Sequence, residues 1–138
     1  MRVAEHMRQV AVSLAPTATL ADAEGAMKTH GIPCVPVVQN GRIVGLVAED
    51  DLAAARPSPA TTLTVGEIIY QMTTIPVTAV MRPDPPWVAP ETPLAEAASL
   101  LRDESVGVLP VVKDDRLVGL LVAGDLVALL ARGSPEGW

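Results

Sequence analysis

Pro36-Val37-Val38-Gln39-Asn40-Gly41-Arg42-Ile43-Val44-Gly45-Leu46 returns about 74 positions later as Pro110-Val111-Val112-Lys113-Asp114-Asp115-Arg116-Leu117-Val118-Gly119-Leu120. Each copy then runs on to an Asp-Leu pair, Asp51-Leu52 and Asp125-Leu126. Two apolar, β-branched runs separated by a two-residue polar turn predict a β-hairpin. These strands are apolar at nearly every position rather than at every second one, so both of their faces must be covered.

The match extends in both directions without a gap. Val3, Met7 and Arg8 meet Val77, Met81 and Arg82; Ala15-Pro16 meets Ala89-Pro90; Leu20-Ala21 and Ala23 meet Leu94-Ala95 and Ala97. About 18 of 56 aligned positions are identical, so the chain is a duplication. In each copy a short extended piece leads to a Pro-Thr or Pro-Glu-Thr turn and then to a helix of about three turns. Thr19 with Asp22 suggests a capping box for the first helix, and Thr92-Pro93 suggests an N-cap and a first-position proline for its counterpart. A second short helix is expected after each Asp-Leu pair. The organisation is therefore a first repeat over 1–56, a linker with a short helix over 57–74, a second repeat over 75–130 and a flexible tail over 131–138. Arg56-Pro57-Ser58-Pro59 breaks the chain between copies, and Thr64 with Glu67 opens the linker helix. One copy of about 56 residues buries too little surface to be comfortable alone. Two copies packing their sheets together would solve this and leave clefts suited to ligands.

Composition narrows the function. With 49% hydrophobic residues, 19% charged and no Phe, the core must be built of Val, Leu, Ala, Ile and Met. A net charge of −6, with no Lys/Arg cluster, argues against a nucleic-acid polymer as partner. No apolar run approaches the ~20 residues that span a bilayer, and the first residues belong to the repeat rather than to a signal peptide. The expected address is the cytoplasm, with no membrane partner. Cys34 is the single cysteine; it lies in an apolar run and reads as a buried small hydrophobe. No nucleophile triad, phosphate-cradling glycine loop or metal cluster is present, so no catalytic or metal-binding residue is assigned and the chain is not expected to be an enzyme.

The ordered set Val-x-x-x-Met, Pro-x-x-x-Leu, Pro-Val-Val and Arg-h-Val-Gly-h-h-x-x-x-Asp-Leu (h apolar), present twice, resembles the cystathionine β-synthase (CBS) domain. The resemblance covers nearly the whole chain. It implies an α+β fold, a CBS-domain pair or Bateman module: two pseudo-twofold-related β-α-β-β-α repeats with small mixed sheets packed together and helices outside. It also implies a regulatory module that senses an adenosyl nucleotide (AMP, ADP, ATP or S-adenosylmethionine), pairs as a homodimeric disc and relays occupancy to an effector protein, with no cofactor beyond that regulatory ligand. Carried over by position, one cleft would use Ala18, Ile32, Pro33 and Cys34 with Asp125. The other would use Thr92, Val106, Gly107 and Val108 with Asp51. A carboxylate accepts both hydroxyls of a cis-diol, and backbone groups can read an adenine edge.

Two departures bear on the ligand. Ala48 and Val122 stand where ligand-binding members carry Ser or Thr, and Ala18 stands where its counterpart is Thr92. The set headed by Asp51 is thus the more complete. Both aspartates also suit a purely structural role in a first helical turn. The alternative reading is a protein–protein interaction module whose clefts are vestigial.

Overall fold

A computed structural model describes residues 1–9, 12–55, 62–104 and 107–133. In chain order, α1 (Leu20–His30), β1 (Cys34–Gln39), β2 (Arg42–Ala48) and α2 (Glu49–Ala55) are followed by α3 (Val65–Thr74) and the short β3 (Arg82–Pro83). Then come α4 (Leu94–Glu104), β4 (Val108–Lys113), β5 (Arg116–Val122) and α5 (Ala123–Ala131). Single 3₁₀ turns precede each series, at Val3–Glu5 and Val77–Ala79.

The two hairpins form as the sequence predicts. Asn40 and Gly41 have φ of 54° and 81°, and Asp114 and Asp115 have φ of 52° and 64°. Positive φ at both central residues matches the right-handed twist of the flanking strands. One sheet has the order β1-β2-β3; the other pairs β4 with β5. Isolated parallel bridges, Leu14 to Val37 and Val88 to Val111, add the extended piece of each copy to its own hairpin. In β4 five of six residues are buried, and in β5 the last four are.

The compact units do not coincide with the sequence repeats. The first-hairpin unit comprises residues 12–40 and 44–84; the second-hairpin unit comprises 1–11, 41–43 and 85–138. Each leading segment therefore belongs with the other copy's hairpin. In the second-hairpin unit Val3 N–H donates to Thr92 O (3.0 Å) and Leu94 N–H to Met1 O (2.8 Å). The first-hairpin unit repeats both bonds with shifted partners: Val77 N–H to Ala18 O (2.8 Å) and Leu20 N–H to Ile75 O (3.1 Å). The same exchange sets Arg8 beside Leu120 and Arg82 beside Leu46.

Each unit has its own apolar centre. Val3, Val88, Leu94, Ala97, Leu101, Leu109, Val111, Leu121 and Leu126 cluster in one. The other buries Leu20, Ala23, Val35, Val37, Val47, Leu52 and Val77. No polar side chain is fully buried among the described residues, so aliphatic burial carries the folding free energy.

Local signals hold in part. Thr19 and Asp22 form the reciprocal capping box on α1, which ends at Gly31 with φ of 60°. The Thr64 hydroxyl accepts from Glu67 N–H at the start of α3. Thr92 does not cap α4: its hydroxyl accepts from Ala89 N–H (3.1 Å). The helix start is already satisfied, because Met1 O takes the Leu94 N–H and Pro93 O takes those of Glu96 and Ala97. The helices after the hairpins begin two residues before the expected Asp-Leu pairs, at Glu49 and Ala123. The breaker at Arg56–Pro59 and the tail residues 134–138 lie outside the described residues, while α5 extends to Ala131.

Candidate functional site

The two aspartates stand at matching stations, each the third residue of the helix that follows its hairpin. The backbone around them is fastened identically. Glu49 N–H donates to Pro33 O (2.9 Å) in one unit, and Ala123 N–H donates to Gly107 O (2.8 Å) in the other. Each bond ties the start of a helix to the residue just ahead of the hairpin's first strand.

Each carboxylate also holds an arginine, which sequence reasoning missed. Arg82 Nε lies 3.1 Å from Asp51 Oδ2, and its Nη2 lies 3.4 Å from Oδ1. Arg8 Nε lies 2.9 Å from Asp125 Oδ2, and its Nη2 lies 3.1 Å from Oδ1. These are two-pronged guanidinium–carboxylate contacts, the strong geometry for such a pair. The hydrogen bond that Arg8 donates to Asp125 raises the arginine's pKa above its ordinary value. The signal was half visible, since Arg8 aligns with Arg82 and Asp51 with Asp125. What it lacked was the exchange of leading segments, which carries Arg8 to the second hairpin.

Asp51 has a further donor: Ala48 N–H reaches its Oδ2 at 3.0 Å. The structural role considered for this residue is therefore real, a carboxylate in the first turn reaching back to a free amide.

The segments that the resemblance assigns to the base are largely apolar. Ile32 and Cys34 are buried, and Pro33 is half-buried between them. The Ile32 N–H is taken by Met27 O (3.2 Å). Burial pushes the Cys34 thiol up to about 12, with Arg82 opposing and Asp51 adding to that effect. The thiol is a core group rather than a nucleophile. Ala18 contributes backbone only, donating to Ala15 O and accepting from Val77 N–H. In the other unit Val108 is buried, Gly107 has φ of 77° and Thr92 is half-buried; Val106 lies outside the described residues. Within a unit, then, the structure gathers Ile32–Cys34 with Asp51 and Arg82, and Gly107-Val108 with Asp125 and Arg8.

Two open grooves of about 390 Å³ each flank these residues. One is lined by Met27, Lys28, Gly31, Ile32, Pro33 and Glu49. The other runs beside Asp125 and includes His6, Arg8, Leu129 and Arg132. Among the described residues no cluster of three or more His, Cys, Asp or Glu is placed to hold a metal. Among the described residues no helix is long and apolar enough to cross a membrane.

Comparison with known proteins identifies the class. The CBS domain matches residues 3–58 and again 65–132. A CBS domain-containing protein of Dictyostelium discoideum is 32% identical over 116 residues, covering 83% of this chain and 80% of that protein. The AcuB protein of Vibrio cholerae is 31% identical, with a TM-score of 0.75 over 98% of each chain. CBSX2 of Arabidopsis thaliana is 27% identical, with a TM-score of 0.78 over 95% of this chain and 94% of that one. CBSX2 has also been solved in complex with AMP; that structure is 26% identical, with a TM-score of 0.75 over 95% of this chain and 96% of that one. The chain belongs to the CBS-domain family and is a CBS-domain pair.

Proposed function

We propose that this chain is a regulatory module that binds an adenosyl nucleotide and passes its occupancy to a partner protein. The reading rests on one observation above the others. A carboxylate stands in the first turn after each hairpin, beside apolar backbone suited to a flat base, in a chain similar to one solved with AMP. Asp51 or Asp125 takes the ribose hydroxyls, and the backbone of Ala18 and Ile32–Cys34, or of Thr92 and Gly107-Val108, takes the base. No residue set for catalysis supports turnover, so the ligand is a signal rather than a substrate. The output surface has candidates in Val65, Ile69 and Tyr70 on α3 and in Val127 and Leu130 on α5, large apolar side chains left exposed. A homodimer and an effector protein would cover them, in the cytoplasm.

The test is a thermal-shift and calorimetric screen against AMP, ADP, ATP and S-adenosylmethionine. Binding at 100 times its dissociation constant stabilises a protein by about 2.7 kcal/mol, a shift of several degrees in a domain of this size. Silence from every nucleotide at millimolar concentration would favour a second reading. In that reading the chain is an interaction module whose aspartates serve structure. The arginine on each aspartate and the absent hydroxyls at Ala48 and Val122 support it.

A further inference from the structure

The tips of the two hairpins share a backbone and differ in chemistry. Asn40 and its counterpart Asp114 have φ of 54° and 52°, so an amide and a carboxylate are equally at home at that station. The residue that follows is Gly41 in one turn and Asp115 in the other. Asn40 is the chain's single asparagine, and it is exposed.

An asparagine followed by glycine sets an electrophile beside a nucleophile, because no Cβ keeps the next amide nitrogen from the side-chain carbonyl. That nitrogen is unengaged in this turn. Gly41 is held by its carbonyl, which accepts from Leu117 N–H at 3.1 Å, and its N–H has no hydrogen-bond partner among the described residues. The Arg116 guanidinium lies against Gly41, and a positive charge there eases loss of the amide proton. Once solvent base has taken that proton, Gly41 N bonds to Asn40 Cγ, the Cγ–Nδ2 bond breaks, and ammonia leaves with a proton from water. A second water then opens the cyclic imide. Cleavage of the new N–Cγ bond gives aspartate in an unchanged main chain. Cleavage of the original peptide bond gives isoaspartate, which adds one carbon to the main chain. The extra carbon would draw Gly41 O away from Leu117 N–H, whereas aspartate has the Asp114 turn as its precedent.

We propose that Asn40 is a site of spontaneous deamidation and that the folded chain directs the product to aspartate. The change adds one negative charge to a chain whose net charge is −6. It also places a new carboxylate beside Arg42. The Nη2 of Arg42 lies 4.0 Å from Asp115 Oδ2, with the two side chains 71% and 79% exposed, a pair weak enough for the newcomer to compete.

Ageing the purified protein at mildly alkaline pH, beside a synthetic peptide of residues 37–45, supplies the test. Each chain should release one ammonia and move by one charge step in anion exchange, with the mass change confined to position 40. The product should co-elute with Asn40→Asp. Enzymatic methylation of isoaspartate should label a minority of folded chains and a majority of the peptide. Gly41→Asp, which copies the second turn, should slow the conversion by about tenfold or more, since a side chain then screens the nitrogen. Retention of the amide by the folded protein through an incubation that converts the peptide would overturn the assignment, as would ageing of Gly41→Asp at the parent's rate. So would a folded product as rich in isoaspartate as the peptide's. Thermal melts monitor folding, and if Gly41→Asp unfolds, the comparison of parent with peptide and the isoaspartate fraction carry the test.

Discussion

Set side by side, the first-hairpin and second-hairpin units agree in backbone and part in side chains. Val38 N–H meets Leu14 O in one and Val112 N–H meets Val88 O in the other, both at 2.8 Å. Yet Cys34 faces Val108, Ala18 faces Thr92 and His6 faces Val80 across the same alignment. Identical residues persist where main chain approaches main chain and leaves no room, as at Gly45 and Gly119. The copies have diverged at the half-buried His6 and Val80 and at the buried Cys34 and Val108 alike, while each keeps its arginine–aspartate pair.

The largest expected contrast lies at those two glycines. A Cβ on Gly119 would meet Arg8 O at 2.7 Å and Met7 Sδ at 2.8 Å. Arg8 O is already the acceptor of Leu120 N–H, so it cannot retreat without breaking the bridge that seats the leading segment. A Cβ on Gly45 would meet Met81 Sδ at 2.5 Å, but the nearest backbone atom, Arg82 O, lies at 3.1 Å. A methionine end can swing aside. Gly119→Ala should therefore cost about 2–3 kcal/mol and Gly45→Ala about 1 kcal/mol in denaturant unfolding, within the usual range for overpacking. Equal costs would mean that Met81 is held as rigidly as main chain.

Much of this architecture can be read from residues alone. Asn40-Gly41 and Asp114-Asp115 announce their turns, and unbroken Val and Leu announce strands covered on both faces. Thr19 with Asp22 announces the start of α1. The exchange of leading segments cannot be read this way, because it is made by backbone bonds such as Val3 to Thr92, which any residues could form. Arg8 on Asp125 depends on that exchange and was hidden with it. The misplaced cap at Thr92 has a different cause. The sequence shows a hydroxyl before a proline and a helix, but not that Met1 O has already taken the Leu94 N–H. Site chemistry was legible as residue types, while its occupancy by arginines was not.

A middle-sized effect separates Cys34 from its counterpart Val108, which cannot ionise. The folded thiol sits near 12, against an ordinary value of 9.0, because burial penalises the thiolate. In the unfolded chain the thiol ionises first, so stability is unaffected below pH 9 and falls as pH climbs from 9 toward 12. The loss approaches about 1.4 kcal/mol per pH unit inside that window. Cys34→Ala should be the less stable protein at pH 7, and its deficit against the parent should shrink between pH 9 and 11. A gap that stays constant over that range would show that the thiol titrates normally.

The smallest contrast concerns two threonines near the starts of equivalent helices. The Thr19 hydroxyl accepts from Asp22 N–H at 3.3 Å while the Thr19 N–H donates to the Asp22 carboxylate at 2.9 Å, so Thr19→Ala strips a cap and should cost about 1 kcal/mol. Thr92 holds Ala89 N–H in the turn before α4, and removing its hydroxyl should cost about 0.5 kcal/mol, the low end for one net hydrogen bond. The totals are close, but amide hydrogen exchange tells the two mechanisms apart. Thr19→Ala should speed exchange at Asp22, inside the helix. Thr92→Ala should speed it at Ala89 and leave Glu96 and Ala97 protected, because their partner is the carbonyl of Pro93 rather than any side chain. Fast exchange at Glu96 in Thr92→Ala would mean that the hydroxyl supports the helix after all, and that the two helix starts are more alike than their hydrogen bonds indicate.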